Sequence, residues 1–276
     1  MASKERKVKN KTDPDELNPI RPNLGVGADY RKRLRTLITS MQNSVEHWIS
    51  SVYRHEEATL TTKVKSVKNI QKAIEDLKLR WFTKFDEAAP KMAAEFVARA
   101  AHNLDANMTR QLAARNFAIK FELTPEMRAV VHAEIVQNVS LIQSIPSQYF
   151  TEVEGLVMRS VAAGGDLKTL SRELHERYGV TQKRAALIAR DQNSKVNAVM
   201  NRVRCAELGF THAEWIHTDA GHEPRASHKA FSGKIFEIAK GAFIDGEFIQ
   251  PGEKINCHCI SRVIRPAYMT NRGTKP

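Results

Sequence analysis

Two cysteines and a set of histidines crowd one stretch of this chain. Residues 215–259 read WIHTDAGHEPRASHKAFSGKIFEIAKGAFIDGEFIQPGEKINCHC and carry two of the three cysteines. His212, His217, His222, His228 and His258, half of the ten histidines, fall in or beside it. Cys257 and Cys259 are two apart. On a strand that spacing turns both thiols to one face, where both thiolates could meet one metal ion. Zinc would need two more ligands, and imidazoles are the usual companions of thiolates. His228 is the first choice, with His217 or His222 second. The spacing departs from the paired ligands of the standard zinc fingers. Two alternatives stand beside a structural zinc: a strained disulfide, disfavoured in a reducing compartment, or two small residues packed under a glycine-rich loop.

A second constellation is polar. Asp219, Glu223, Arg225 and His228 cluster on an expected loop. An acid could orient the imidazole for acid–base work while Arg225 holds a phosphate. The competing reading is a hydrogen-bonded network that fixes the loop, because no nucleophile or second catalytic group accompanies it. Arg190, Asp191 and Gln192 stand in succession in the middle of an expected helix, so at least one should be buried and bonded. Pro251, Gly252 and Asn256 read as turn-forming residues. Cys205 reads as a lone thiol packing a helix. No phosphate-cradling glycine motif, His-Glu-x-x-His or nucleophile elbow is present.

The elements that must position these residues follow from periodicity. Residues 1–28 mix Pro14, Pro19, Pro22, Gly25 and Gly27 with charges, and read as a flexible basic arm. From Asp29, Leu34, Leu37, Ile38, Met41, Val45, Trp48, Ile49 and Val52 mark one face of a long helix. A second helix starts near Thr61 or Thr62, and further helices begin near Pro90 and Asn107. Thr124-Pro125-Glu126 is a strong helix start, and that helix should stop before Pro146, where another opens. Asp166 caps a short helix ending at Gly179, and Thr181 caps a long one ending at Gly209. Beyond it, 210–218, 234–238, 247–250 and 259–264 are strand candidates. The fold class is α+β: an elongated, mainly helical N-terminal region and a small α+β C-terminal domain with a few short strands. The organisation expected is an arm (1–28), a helical region (29–124), a C-terminal domain (125–267) and a tail (268–276).

Composition adds a partner class. Hydrophobic content of 42% supports a core, and the net charge of +12 favours a polyanionic neighbour. Lys4, Arg6, Lys7, Lys9 and Lys11 crowd the start of the chain, and Arg31, Lys32, Arg33 and Arg35 form a second cluster. The first five, with Arg31, Lys32 and Arg33, are candidate nucleic-acid contacts. No apolar run is long enough to span a membrane, and no secretory signal is expected at the start. Three cysteines make no disulfide framework, so a reducing cytoplasm is expected.

The motifs together resemble a known family. IARDQNSKVNAVMNRVRCAELGF, then a Trp, DAGHEPRASHKAFSGKIFEI and PGEKINCHC occur in the order found in phage head-morphogenesis proteins typified by the Mu F-like minor head proteins. The resemblance covers roughly residues 125–265. Carried over by residue, the family's positions are Arg190, Asp191, Gln192, Trp215, Arg225, His228, Gly233, Pro251, Gly252, Asn256, Cys257 and Cys259. His258 stands where the family usually has arginine, and GHEPR where many members have an Asp-Glu-Arg-Val-Arg-like loop. The resemblance implies a minor capsid protein of a tailed double-stranded DNA phage, acting in head assembly near the portal and in DNA packaging or delivery. Its implied partners are the portal protein, other head proteins and packaged DNA. Its implied place is inside the virion head, after assembly in the host cytoplasm, and no enzymatic activity is expected. The alternative is an injected or toxin-like nuclease or transferase built on His228 and Arg225.

Overall fold

The computed structural model describes residues 17–57, 63–163, 166–218 and 225–264. It is α+β: four long helices followed by short antiparallel strands and one short helix. The helices are α1 (Leu24–Glu57), α2 (Lys63–Ala113), α3 (Pro125–Ala162) and α4 (Leu167–Glu207). After them come β1 (His212–Ile216), α5 (Ala226–Ala230), β2 (Ile235–Glu237), β3 (Ala242–Ile244), β4 (Glu247–Ile249) and β5 (Ile260–Val263). No helix among the described residues is long and apolar enough to cross a membrane.

The residues form two compact units. The helical unit comprises Asn23–Ala100 and Arg128–Val196. The periodic face of α1 is its first layer, with Leu34, Ile38, Met41 and Val45 fully buried. Against it pack Trp81, Phe85, Phe96 and Val97 of α2, Ile142, Tyr149, Phe150 and Val157 of α3, and Leu170 and Leu174 of α4. Tyr30 stacks on Phe96 with ring centroids 4.2 Å apart, and its hydroxyl donates to Asn138 Oδ1 at 3.1 Å. Buried Gln42 donates to the Leu174 carbonyl and accepts from the Tyr149 hydroxyl. Its burial therefore leaves no polar atom stranded.

Several expected helix breaks are absent, and each has a reason. Pro90 lies inside α2 and Pro146 inside α3. An interior proline costs roughly 3 kcal/mol, but both are flanked by buried residues whose packing requires a continuous helix. Asn107 starts no helix: its side chain donates to the Asn103 carbonyl one turn back. Gly179 interrupts nothing, and the Thr181 hydroxyl bonds back to the Arg177 carbonyl instead of capping. Two expected starts match. The Thr124 hydroxyl accepts from the Met127 N–H, and the Asp166 carboxylate accepts from the Lys168 and Thr169 N–H groups.

The expected arm ends earlier than residue 28. Asn23 caps α1 by accepting from the Val26 N–H at 3.1 Å, so Gly25 and Gly27 lie in the first turn. Gly27 is there because α4 passes close: a Cβ at this position would sit 2.8 Å from Asn193 Nδ2. Upstream, Leu17 and Ile20 are buried.

The second unit draws on the described residues of Met1–Pro22, Ala101–Met127 and Asn197–Pro276. Its three-stranded sheet has the order β2-β1-β5, all antiparallel, with Ala213 opposite Phe236 on one side and Val263 on the other. Ala213, Trp215, Phe236, Ile260 and Val263 are buried. The extended segment before α1 joins this unit: Leu17 N–H donates to the Val263 carbonyl, and Asn197 donates to the Ile20 carbonyl. β3 and β4 form a separate hairpin whose turn residues, Asp245 and Gly246, both have positive φ. That is the backbone demanded by a two-residue hairpin turn of the mirror-image type.

Candidate metal centre

Three pieces of irregular chain converge beside the small sheet. β1 ends at Ile216, and His217 follows it directly. α5 carries His228 on its buried side. The segment 257–259 carries both cysteines just before β5. The cysteines are therefore in irregular chain, where the sequence suggested a strand at the second of them, and a turn rather than strand alternation brings their sulfurs together. That turn is held by Asn256, which adopts φ 59°, and by the Cys257 N–H donating to the Lys254 carbonyl. Pro251 and Gly252 are buried beneath it, Gly252 with φ 84°. Asparagine and glycine are the residues that tolerate this left-handed backbone at least cost.

The ligand-type atoms lie close. Cys257 Sγ is 3.5 Å and Cys259 Sγ 3.8 Å from His228 Nδ1. On the other side, Cys259 Sγ is 3.6 Å from His217 Nδ1. Atoms of His228, Cys257 and Cys259 all fall within 4.8 Å of one another, and all three residues are buried. His222, the other second-choice ligand, lies outside the described residues, as do Asp219 and Glu223. The acid–base constellation is therefore described only at Arg225 and His228. Arg225 is exposed and donates to the Ile255 carbonyl at 3.1 Å, which ties α5 to the turn. The His228 imidazole faces the two sulfurs.

Trp215 is fully buried and frames the site. Its ring meets the edges or faces of His228, Phe231 and Phe236 at centroid distances of 5.3, 5.9 and 6.0 Å. Gly233, with φ 85°, returns its N–H to the Trp215 carbonyl. A Cβ there would meet only Glu214 at 3.9 Å, so the backbone angle, not space, requires glycine.

The two sulfurs depend on each other. Cys259 hydrogen-bonds to Cys257, which holds the Cys257 thiol well below its ordinary value, helped by the backbone N–H groups of Cys259 and Gly252 and by His228. The same bond, with burial, pushes Cys259 up, opposed by the Thr218 backbone. Cys205 is different: burial alone pushes its thiol up to about 12, and it packs on α4 near Asn201.

The remaining residues singled out by sequence lie elsewhere. On α4, Asp191 pairs with Lys195 at 3.1 Å, and Gln192 accepts from Asn138 at 3.2 Å; both are buried, while Arg190 is exposed. Arg31, Lys32 and Arg33 lie on the exposed side of α1, and Arg33 is held by Glu95. Lys4, Arg6, Lys7, Lys9 and Lys11 lie outside the described residues. One residue that sequence reading passed over is prominent. Arg204, 3% exposed, makes two 2.8 Å bonds to Asp105, one of 2.7 Å to Glu207 and one of 2.8 Å to the Glu122 carbonyl. No spacing rule points to an acid 99 residues away.

Comparison with known proteins places the site in a family context. Residues 151–262 match the family model described as phage Mu protein F like protein. That interval contains Arg190, Trp215, Arg225, His228, Gly233, Cys257 and Cys259, and it supports the resemblance read from the motifs. The chain is also similar to an uncharacterized protein of Haemophilus influenzae, with 27% identity over 253 residues, covering 89% of this chain and 54% of that protein. It thus spans about half the length of this curated relative. No solved structure matches.

Proposed function

We propose, from the match of residues 151–262 to the phage Mu F-like family, that this chain is a minor head protein of a tailed double-stranded DNA phage. It acts in head morphogenesis close to the portal, and it contributes to DNA packaging or delivery. The family match is the observation that carries this reading. Two further features support it. The net charge of +12 suits a space filled with DNA. The role proposed is structural: among the described residues His228 faces two sulfurs and Arg225 holds a backbone carbonyl. Its partners are the portal and other head proteins, and it resides inside the head after assembling in the host cytoplasm.

The test is to quantify the chain in purified DNA-filled virions and in empty procapsids from the same infection. A few copies per particle in both are expected. Loss from particles that have ejected their DNA would assign a delivery role, and absence from every particle would overturn the proposal.

A further inference from the structure

We propose that His217, His228, Cys257 and Cys259 bind one zinc ion, which clips the end of β1, α5 and the turn before β5 into one unit. The inference stands on local geometry and is independent of the head-protein reading.

The distances are the first support. Zinc bonds sulfur at ~2.3 Å and imidazole nitrogen at ~2.0–2.1 Å in a tetrahedron, which puts neighbouring sulfur and nitrogen ligands roughly 3.6 Å apart. Three of the four sulfur–nitrogen pairs lie at 3.5, 3.6 and 3.8 Å, whereas His217 stands outside the group whose ligand atoms all fall within 4.8 Å, so its ring must swing inward to bind. Both histidines present the same atom, Nδ1, to the sulfurs.

The surroundings are the second support. A thiolate bound to a metal retains negative charge, and fixed donors around it stabilise that charge. Here the backbone N–H groups of Gly252 and Cys259 serve Cys257, and the Thr218 backbone serves Cys259. Trp215 fixes the His228 ring edge-on at 5.3 Å.

The third support is what the local chain lacks. α5 has five residues and no side-chain cap at its start, far below the length at which a helix holds itself. β2 and β5 have three and four residues. A metal that joins residues up to 42 apart in sequence supplies the missing tie. Two thiolates and an imidazole, all buried, select zinc over the hard cations, and His217 as fourth ligand would leave no open coordination position, which makes the ion structural rather than catalytic. His217 lies at the rim of the three-residue cluster and completes the set through Cys259.

The experiment uses the full, untagged chain purified without chelator. Metal analysis by mass spectrometry should find one zinc per chain. Exchange for cobalt(II) should give the visible bands of a tetrahedral site and the ultraviolet sulfur-to-cobalt transition. Removing the metal with a strong chelator should lower the thermal midpoint. A folded, metal-free chain that takes up no cobalt overturns the proposal, and so does a stoichiometric metal whose cobalt form shows no sulfur ligation. Cys257→Ser and Cys259→Ser should lose the ion, but they can also unfold the chain, so the wild-type measurements decide. His217→Ala, at the rim, should stay folded and bind zinc more weakly. Unchanged zinc affinity in that variant overturns the four-ligand assignment.

Discussion

At the scale of single residues, buried charge is where this protein is most sensitive. Glu134 is 8% exposed, and its Oε2 has no hydrogen-bond partner among the described residues. Burial raises its pKa, and the charge of Lys195 only partly opposes this. The fold therefore disfavours the ionised form. The penalty is absent below the unfolded value near 4.5, grows as pH rises from there to the folded value, and is complete above it. Glu134→Gln should raise the urea midpoint at pH 7 and leave it unchanged near pH 4; an equal gain at both values would refute the argument. Arg204 is the opposite case, a buried charge that is fully served. Arg204→Met strands Asp105 and Glu207 and should cost about 3 kcal/mol, at the low end for a broken buried pair because both acids are partly exposed. Denaturant unfolding at neutral pH measures it. Sequence reading anticipated that part of the Arg190–Gln192 run would be buried, because three successive polar residues on one helix cannot all face water. It did not find Arg204, because its acceptors come from α2, the loop before α3 and its own helix.

At the scale of elements, the apolar periodicity of α1 was legible because one face of that helix meets the core. Breaks were over-read, since proline and glycine weaken a helix locally while packing acts along its whole length. β3 was missed, although Asp245-Gly246 between FI and EF is a strong short-range hairpin signal. The cysteine pair was legible as a pair, but the turn that joins its sulfurs depends on Asn256 and Gly252 and not on strand alternation. Gly27 tests the close approach of two elements. Alanine favours a helix over glycine by about 1 kcal/mol, so Gly27→Ala would stabilise an isolated α1. In the folded chain its Cβ pushes on Asn193, whose Nδ2 donates to the Asn23 carbonyl at 3.0 Å. One lost hydrogen bond is worth about as much as the propensity gain, so the 2.8 Å overlap with Asn193 decides the sign, and the substitution should lower the thermal midpoint. In an Asn193→Ala background it should become neutral or stabilising. The same loss in both backgrounds would show that contact with Asn193 is not the cause.

At the scale of the whole molecule, the charge of +12 is the property that a DNA-filled head would use. Contact with packaged DNA would be sequence-independent, because nothing in the chain resembles a base-reading motif. Such binding releases counterions, so the logarithm of affinity falls with the logarithm of salt by about 0.9 for each phosphate neutralised. The α1 cluster makes this specific. Arg31 and Lys32 are exposed, whereas Arg33 is held by Glu95. If the cluster touches DNA, Arg31→Glu with Lys32→Glu should shallow the salt slope by about 2, because two phosphate contacts are lost. Arg33→Glu alone should change it by less than one contact, because its charge is already spent on Glu95. Fluorescence anisotropy of a short duplex titrated at several salt concentrations reads both slopes. If the double variant keeps the wild-type slope, the cluster is a solvated face of α1, and any DNA contact must come from other basic residues. If Arg33→Glu lowers the slope as much as either neighbour does, DNA displaces Glu95 on binding, and the ion pair seen in the free chain is a latch that the polyanion opens.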